Sequence, residues 1–90
     1  MKTLRIAAQM DPIENIDPAS DSTFAMMLEA QRRGHLLFYY TPDTLALEHG
    51  VLMANVATIQ VKDTPRGNHF RLGEFSLCDL SEFDVVLLRQ

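Results

Sequence analysis

The sequence predicts a small α/β domain with a mostly parallel sheet, one long helix and an added β-hairpin. An apolar run at residues 3–10 (TLRIAAQM) precedes a loop, a helix-forming segment and a second strand-like run at residues 35–40 (HLLFYY). This order favours two parallel strands joined by a right-handed crossover. Farther on, turn-forming residues 63–68 (DTPRGN) separate strand-like runs at residues 51–62 and 69–77. These runs predict the antiparallel hairpin.

The predicted helix follows the loop and ends near Arg33. Asp21 or Ser22 can accept a hydrogen bond from the first turn and so act as the N-cap. Gly34 suits the C′ position, where the backbone needs a positive φ. Glu29 can pair with either arginine near the helix end. The apolar side chains, with one glutamine in line with them, are expected to face the core: Phe24, Met26, Met27, Leu28 and Gln31.

The remaining segments are shorter. Residues 41–50 predict a turn, with one helical turn capped at Asp43, and Gly73 is expected to form a bulge in the hairpin. Residues 84–90 (DVVLLRQ) predict a buried parallel strand because Val and Leu dominate. The chain stops at the end of that strand, and one helix does not cover both faces of a parallel sheet. We therefore expect a truncated domain, the first piece of a longer protein.

Length and composition narrow the function classes. A chain of 90 residues forms one small domain. Its formal net charge of −4 argues against a nucleic acid or an anionic membrane as partner, and its apolar runs are too short to cross a bilayer. The single cysteine, Cys78, cannot form an internal disulfide. This fits a reducing compartment, so a cytoplasmic location is expected.

No motif for a phosphate or a metal is found. The loop after the first strand has two Asp-Pro steps and no glycine, whereas dinucleotide sites and P-loops need glycines for close approach to phosphates. His35, His49 and His69 have no partners at ligand spacing, so we interpret them as surface histidines and expect no metal site. Cys78 has no neighbouring His or Asn to activate it and is interpreted as a packed or half-buried structural cysteine.

The candidate binding residues lie at one edge of the predicted sheet. Asp11 follows the first strand and Arg89 ends the last strand, and open α/β sheets bind ligands at this edge. An acid and a guanidinium there could hold a zwitterionic ligand. In the alternative interpretation Asp11 only caps the loop and Arg89 is solvated. Glu14 and Asn15, in the middle of the loop, either contact a ligand or solvate the turn.

Three segments resemble the N-terminal domain of bacterial glutathione synthetases. They are MDPI at residues 10–13, DSTFAMMLEAQRRGH at residues 21–35 and FDVVLLRQ at residues 83–90. The IQVKD run at residues 59–63 also fits the family pattern. The long second segment is specific because its order of cap, apolar stripe and Arg-Arg-Gly stop would rarely recur by chance. The resemblance covers essentially the whole chain.

The resemblance implies a Rossmann-like, pre-ATP-grasp domain of a homotetrameric ligase. The family enzyme joins γ-glutamylcysteine to glycine with ATP and Mg²⁺, through an acyl phosphate that the glycine amine attacks. The family's ATP-binding lysines, glycine-rich loop and magnesium carboxylates lie beyond this chain. No catalytic residue therefore carries over, and the fragment alone is expected to be inactive and to bind no cofactor. The resemblance carries over a scaffold and an edge of the peptide-substrate site, at Asp11, Ile13, Asn15 and Arg89.

A stand-alone α/β module for regulation or protein interaction is the alternative. A receiver-type regulator needs an acidic cluster after the first strand and a phosphorylatable Asp at the end of a later strand. The last strand here ends with Arg89 and Gln90, which argues against a receiver. An interaction module remains open.

Overall fold

A computed structural model describes residues 3–64 and 67–88 and shows an α/β domain with one helix and a six-stranded sheet. Single 3-10 turns lie between the main elements. In chain order the main elements are β1 (Arg5–Gln9), α1 (Ser22–Arg32), β2 (Leu36–Tyr40), β3 (Ala46–Glu48), β4 (Val51–Val61), β5 (Phe70–Asp79) and β6 (Val85–Leu88). The predicted α/β class is confirmed.

The sheet is mixed, so the prediction of a mostly parallel sheet is not confirmed. Strand β1 pairs in parallel with β2 and with β6. Strand β4 runs antiparallel to β2, β3 and β5. In the described residues the order is β3–β4–β2–β1–β6, with β5 bonded to β4. The parallel part is limited to three strands, and a Rossmann-like arrangement is therefore not confirmed either.

Helix α1 begins where the sequence predicts. The Asp21 carboxylate accepts a hydrogen bond of 2.9 Å from the Phe24 N–H. Phe24 and Met27 are fully buried, and Leu28 packs against the same core. Met26, however, is 53% exposed, so its predicted place in the core is wrong. Two positions along a helix correspond to about 200° of rotation, which points residue 26 away from the face of residue 24.

The C-terminal end of α1 also agrees with the prediction. Gly34 has a φ of 87°. The N–H groups of Gly34 and His35 donate to carbonyls of the last turn at 2.9 and 3.1 Å, which forms a Schellman motif. The Glu29 carboxylate bonds both Arg32 and Arg33.

No helix within residues 3–64 and 67–88 has the length and the apolar character that a membrane crossing requires.

The strands carry buried side chains on both faces of the sheet. The core on the α1 face consists of Ile6, Ala8, Met10, Ile13, Ile16, Phe24, Met27, Leu37, Tyr39, Ile59 and Val61. The core on the opposite face consists of Ala7, Tyr40, Ala54, Val56 and Phe83. On that second face the Arg5 guanidinium lies 5.1 Å from the centre of the Phe38 ring and 5.2 Å from that of Phe83. The segment between β5 and β6 therefore covers part of this face without a helix.

The β4–β5 hairpin contains the predicted bulge. The register shifts between Ala57 and Ile59, where β5 has one residue more than β4. A Cβ atom at position 73 would collide with the Thr58 hydroxyl oxygen. Gly73 therefore permits a close approach that a larger residue would oppose.

Two further segments differ from the prediction. Residues 41–50 form a 3-10 turn at Pro42–Thr44 and the short strand β3, and the cap position is Thr41 rather than the predicted Asp43, which lies inside the turn. Strand β6 was expected to be buried, but Val85, Val86 and Leu88 are 37%, 36% and 62% exposed. In the described residues β6 is an edge strand that pairs only with β1, and this explains its exposure.

Candidate functional site

The loop between β1 and α1 is ordered by hydrogen bonds rather than by glycines. The Met10 N–H donates to the Tyr40 carbonyl at 3.2 Å and extends the contact between β1 and β2. Farther on, the Asp17 carboxylate accepts from the Ala19 N–H and from the Ser20 hydroxyl, both at 3.0 Å. The two prolines fix φ at their own positions. The loop therefore has one defined shape at the end of β1.

The backbone of Ile13 is held by two side chains from distant elements. Its N–H donates to the Tyr39 hydroxyl oxygen at 3.0 Å. Its carbonyl oxygen lies 2.7 Å from the Nε2 atom of His69. The Ile13 side chain is fully buried. Both polar groups of a buried peptide are thus satisfied, and the loop is attached to β2 and to the hairpin.

His69 is a buried structural residue, and its prediction as a surface histidine is wrong. The Gly67 N–H donates to its Nδ1 atom at 3.0 Å, so this nitrogen is unprotonated. The neutral ring therefore carries its hydrogen on Nε2, which donates to the Ile13 carbonyl. The rings of Phe24 and Phe70 pack edge-on against it at 5.5 and 4.9 Å. His69 connects the start of the hairpin's second strand to the loop after β1.

The outer surface of this loop is an acidic rim, which we define by Asp11, Glu14 and Asn15. All three side chains are exposed. Burial raises the pKa of the Tyr39 hydroxyl, and the negative charges of Glu14, Asp43 and Asp11 raise it further. The carboxylates of Asp11, Glu14 and Asp43 therefore lie close enough to the Tyr39 hydroxyl to make this edge of the sheet electrostatically negative. Such a surface attracts ammonium groups and repels phosphates.

The structure brings three of the four predicted binding residues together. Asp11, Ile13 and Asn15 lie within one short segment, with Ile13 buried beneath the exposed rim. Arg89 lies outside the described residues, so its predicted partnership with Asp11 stays a prediction. Within the described part, Leu88 pairs with Gln9, which brings the end of β6 to the same edge of the sheet as the rim.

Comparison with known proteins identifies the family of this chain. The family described as the N-terminal domain of prokaryotic glutathione synthetase matches residues 4–90. This chain belongs to that family. The glutathione synthetase of Mesorhizobium japonicum is 55% identical over 97% of the chain. Those of Rhodopseudomonas palustris and Brucella melitensis are each 51% identical, over 98% and 97% of the chain. The resemblance seen in the sequence is confirmed.

The chain spans 28% of the length of each of these three glutathione synthetases.

The described residues contain no group of three or more His, Cys, Asp or Glu side chains that could hold a metal ion. The acidic, glycine-free rim also does not fit a nucleotide phosphate, which needs backbone donors or cations around it. Cys78 is half-buried and donates from its Sγ atom to the Ser76 carbonyl at 3.5 Å, as a structural cysteine would.

Three residues that shape this domain could not be recognised from neighbouring residues in the sequence. Tyr39 was interpreted only as part of a strand, although a buried tyrosine hydroxyl needs a hydrogen-bond partner. His69 was assigned to the surface because no neighbour in the sequence explains its burial. Gln31 lies in line with the core positions of α1. A polar side chain at such a position was the one sequence signal that it bonds a buried partner. Its side chain bonds both backbone groups of Val61.

Proposed function

We propose that this chain is the N-terminal domain of a cytoplasmic, ATP-dependent ligase that joins γ-glutamylcysteine to glycine. The match to the family over residues 4–90 and the three relatives named glutathione synthetase support this proposal. In the intact enzyme the chain is the Rossmann-like domain that precedes the ATP-grasp region. It supplies a scaffold and one edge of the site for the peptide substrate.

The acidic rim is the part of this domain that we assign to the substrate. The α-ammonium group of γ-glutamylcysteine suits the Asp11 carboxylate, and the Asn15 amide can bond a neighbouring polar group. Ile13 acts beneath them because its two backbone hydrogen bonds hold the segment in place. Arg89, which follows β6 in the sequence, is the partner we propose for a substrate carboxylate.

ATP and Mg²⁺ bind, on this proposal, in parts of the enzyme beyond these 90 residues. The loop after β1 supports this because it offers carboxylates rather than glycines or cations to a phosphate. The isolated chain therefore catalyses no reaction. The intact enzyme is a homo-oligomer, and its partners are its two substrates, without nucleic acid or membrane.

The proposal is tested with two proteins, the 90-residue chain and the full-length protein from the same reading frame. Each is incubated with ATP, Mg²⁺, γ-glutamylcysteine and glycine, and the release of ADP and glutathione is measured, with glycine omitted as the control. The full-length protein should release the two products in equal amounts, and the chain should release neither. A folded full-length protein that makes no glutathione would contradict the ligase. Product from the chain would contradict its non-catalytic role.

A further inference from the structure

An open cleft separates parts of β2 and β4. Only two residue pairs join these strands, Phe38–Thr58 and Tyr39–Ala57, although both strands continue beyond them. The strands separate toward the N-terminal end of β2. Between them lies a cleft of about 660 Å³. A cleft of this size accommodates a small organic molecule.

Gln31 of α1 stabilises the separation of the strands. Its Nε2 atom donates to the Val61 carbonyl at 2.7 Å, and its Oε1 atom accepts from the Val61 N–H at 2.8 Å. The side-chain amide therefore satisfies the two backbone groups of Val61 that a neighbouring strand would otherwise bond. The two strands need not meet to satisfy this part of the backbone, so the cleft is a stable feature of the fold.

The cleft opens on the face of the sheet opposite α1. Phe38 packs against the core of that face. Thr58 pairs with Phe38 and points to the same face, because its neighbour Ile59 in β4 is buried on the α1 face. Leu36 is 53% exposed. Arg71 is paired with Gln60 on β4, and both are exposed. The lining thus combines apolar side chains of β2 with polar side chains of β4 and β5, and Ile59, Val61 and Leu72 add further apolar surface.

The charge of the lining is opposite to that of the whole chain. The described residues around the cleft include the cations Lys62 and Arg71 but neither Asp nor Glu, whereas the formal net charge of the chain is −4. The Nδ1 atom of His35 accepts from the Leu4 N–H at 3.0 Å. The neutral ring therefore has its hydrogen on Nε2, which makes this nitrogen a donor. Donors and cations without a competing carboxylate suit an anion.

We propose that this cleft binds a small organic anion, a carboxylate or a phosphate joined to an apolar group. Lys62 and Arg71 bind the charged group, and Leu36 and Phe38 contact the apolar part. The cleft lies at the N-terminal end of β2, whereas the acidic rim follows the C-terminal end of β1. The anion site is therefore separate from the proposed substrate site and does not depend on the ligase assignment.

Calorimetric titration of the full-length protein at low ionic strength tests this site. The probes are phenyl phosphate, phenylacetate and the uncharged benzyl alcohol. The variants are the double substitution Lys62→Gln/Arg71→Gln and the cleft-filling Gln60→Trp. Arg33→Gln, which removes an exposed cation just after α1 and outside the cleft lining, is the control. The unfolding temperature of each variant confirms that it is folded.

The two anions should bind, and the double substitution should weaken binding about 100-fold, tenfold for each of the two charge-assisted hydrogen bonds that it removes. Gln60→Trp should also weaken binding, and Arg33→Gln should not. Tighter binding of phenyl phosphate than of phenylacetate identifies a phosphate ligand, and the reverse identifies a carboxylate. The site is refuted if neither anion binds the wild type, if benzyl alcohol binds equally well, or if the double variant behaves like the control.

Discussion

The Nε2 atom of His69 lies 2.7 Å from the carbonyl oxygen of Ile13, a residue 56 positions earlier in the chain. This hydrogen bond joins the hairpin to the loop that carries the acidic rim. The hydroxyl of Tyr39 bonds the N–H of the same Ile13 from the other side, at 3.0 Å. The rim therefore rests on a buried residue that two separate strand regions hold in position.

Replacing His69 with alanine should destabilise the domain by about 3–5 kcal/mol, the cost of removing a large buried ring. The change also leaves the Ile13 carbonyl and the Gly67 N–H without their partner. Urea denaturation followed by circular dichroism measures this loss.

Two variants serve as controls for the His69 experiment. His69→Gln keeps a donor for the Ile13 carbonyl and should cost less than His69→Ala, about 1–2 kcal/mol. His49→Asn changes an exposed histidine at a φ of 51° to a residue that tolerates this backbone, and should stay within about 0.5 kcal/mol of the wild type. Equal stability of His69→Ala and the wild type would show that the hydrogen bond to Ile13 does not hold the loop.

Tyr39→Phe should destabilise the domain by about 1–3 kcal/mol because it leaves the buried Ile13 N–H without an acceptor. Tyr40→Phe is the matched control, since the Tyr40 hydroxyl bonds the partly buried side chain of Gln9 and water can replace it. Amide hydrogen exchange measures the local effect. The Ile13 amide should exchange faster in Tyr39→Phe only. Unchanged protection there would contradict the structural role of the hydroxyl.

Gln31→Leu should destabilise the domain by about 2 kcal/mol or more, because both backbone groups of Val61 lose a partner. Gln31→Glu keeps an acceptor for the Val61 N–H but places a carboxylate beside the Val61 carbonyl, so at neutral pH it should also be unstable. Thermal unfolding compares the two with Gln60→Ala, a neighbouring exposed glutamine. If the Gln31 variants unfold at the same temperature as Gln60→Ala, the amide does not support β4.

Glu29 should contribute to stability only above acidic pH. Hydrogen bonds from Arg32 and then Arg33 lower the pKa of Glu29 from 4.5 to about 2. A pKa that is lower in the folded state stabilises the protein above the unfolded value, and this stabilisation is lost as pH falls from 4.5 toward 2. The Glu29 side chain is about half exposed, and ion pairs at the surface contribute little, so the effect should be small. The urea midpoint of the wild type should fall more in this range than that of Glu29→Gln. Parallel pH curves would contradict the ion pairs.

The sequence predicted best those features that depend on neighbouring residues. The Asp21 cap and the Gly34 stop define α1 because each acts within one turn of the helix. The bulge at Gly73 was also predictable, since glycine within a strand pattern signals a close backbone approach. The family resemblance rested on the same kind of local pattern, above all on the segment that contains α1.

Features that depend on distant contacts could not be predicted. The antiparallel pairing of β4 with β2 makes the sheet mixed, and nothing in either strand alone specifies its direction. The burial of His69 depends on how the hairpin folds against the loop after β1. The exposure of Met26 differs from the prediction because an apolar residue in a helix-forming segment need not be buried, and singly exposed apolar side chains are common.

The most direct test of the account is the effect of Asp11→Asn on the full-length protein. If the acidic rim binds the ammonium group of γ-glutamylcysteine, this variant should raise the KM for γ-glutamylcysteine about tenfold, the loss of one charge-assisted hydrogen bond. The KM for ATP and the unfolding temperature should stay unchanged. An unchanged KM for γ-glutamylcysteine in a folded, active variant would show that Asp11 only shapes the loop and that the rim does not bind substrate.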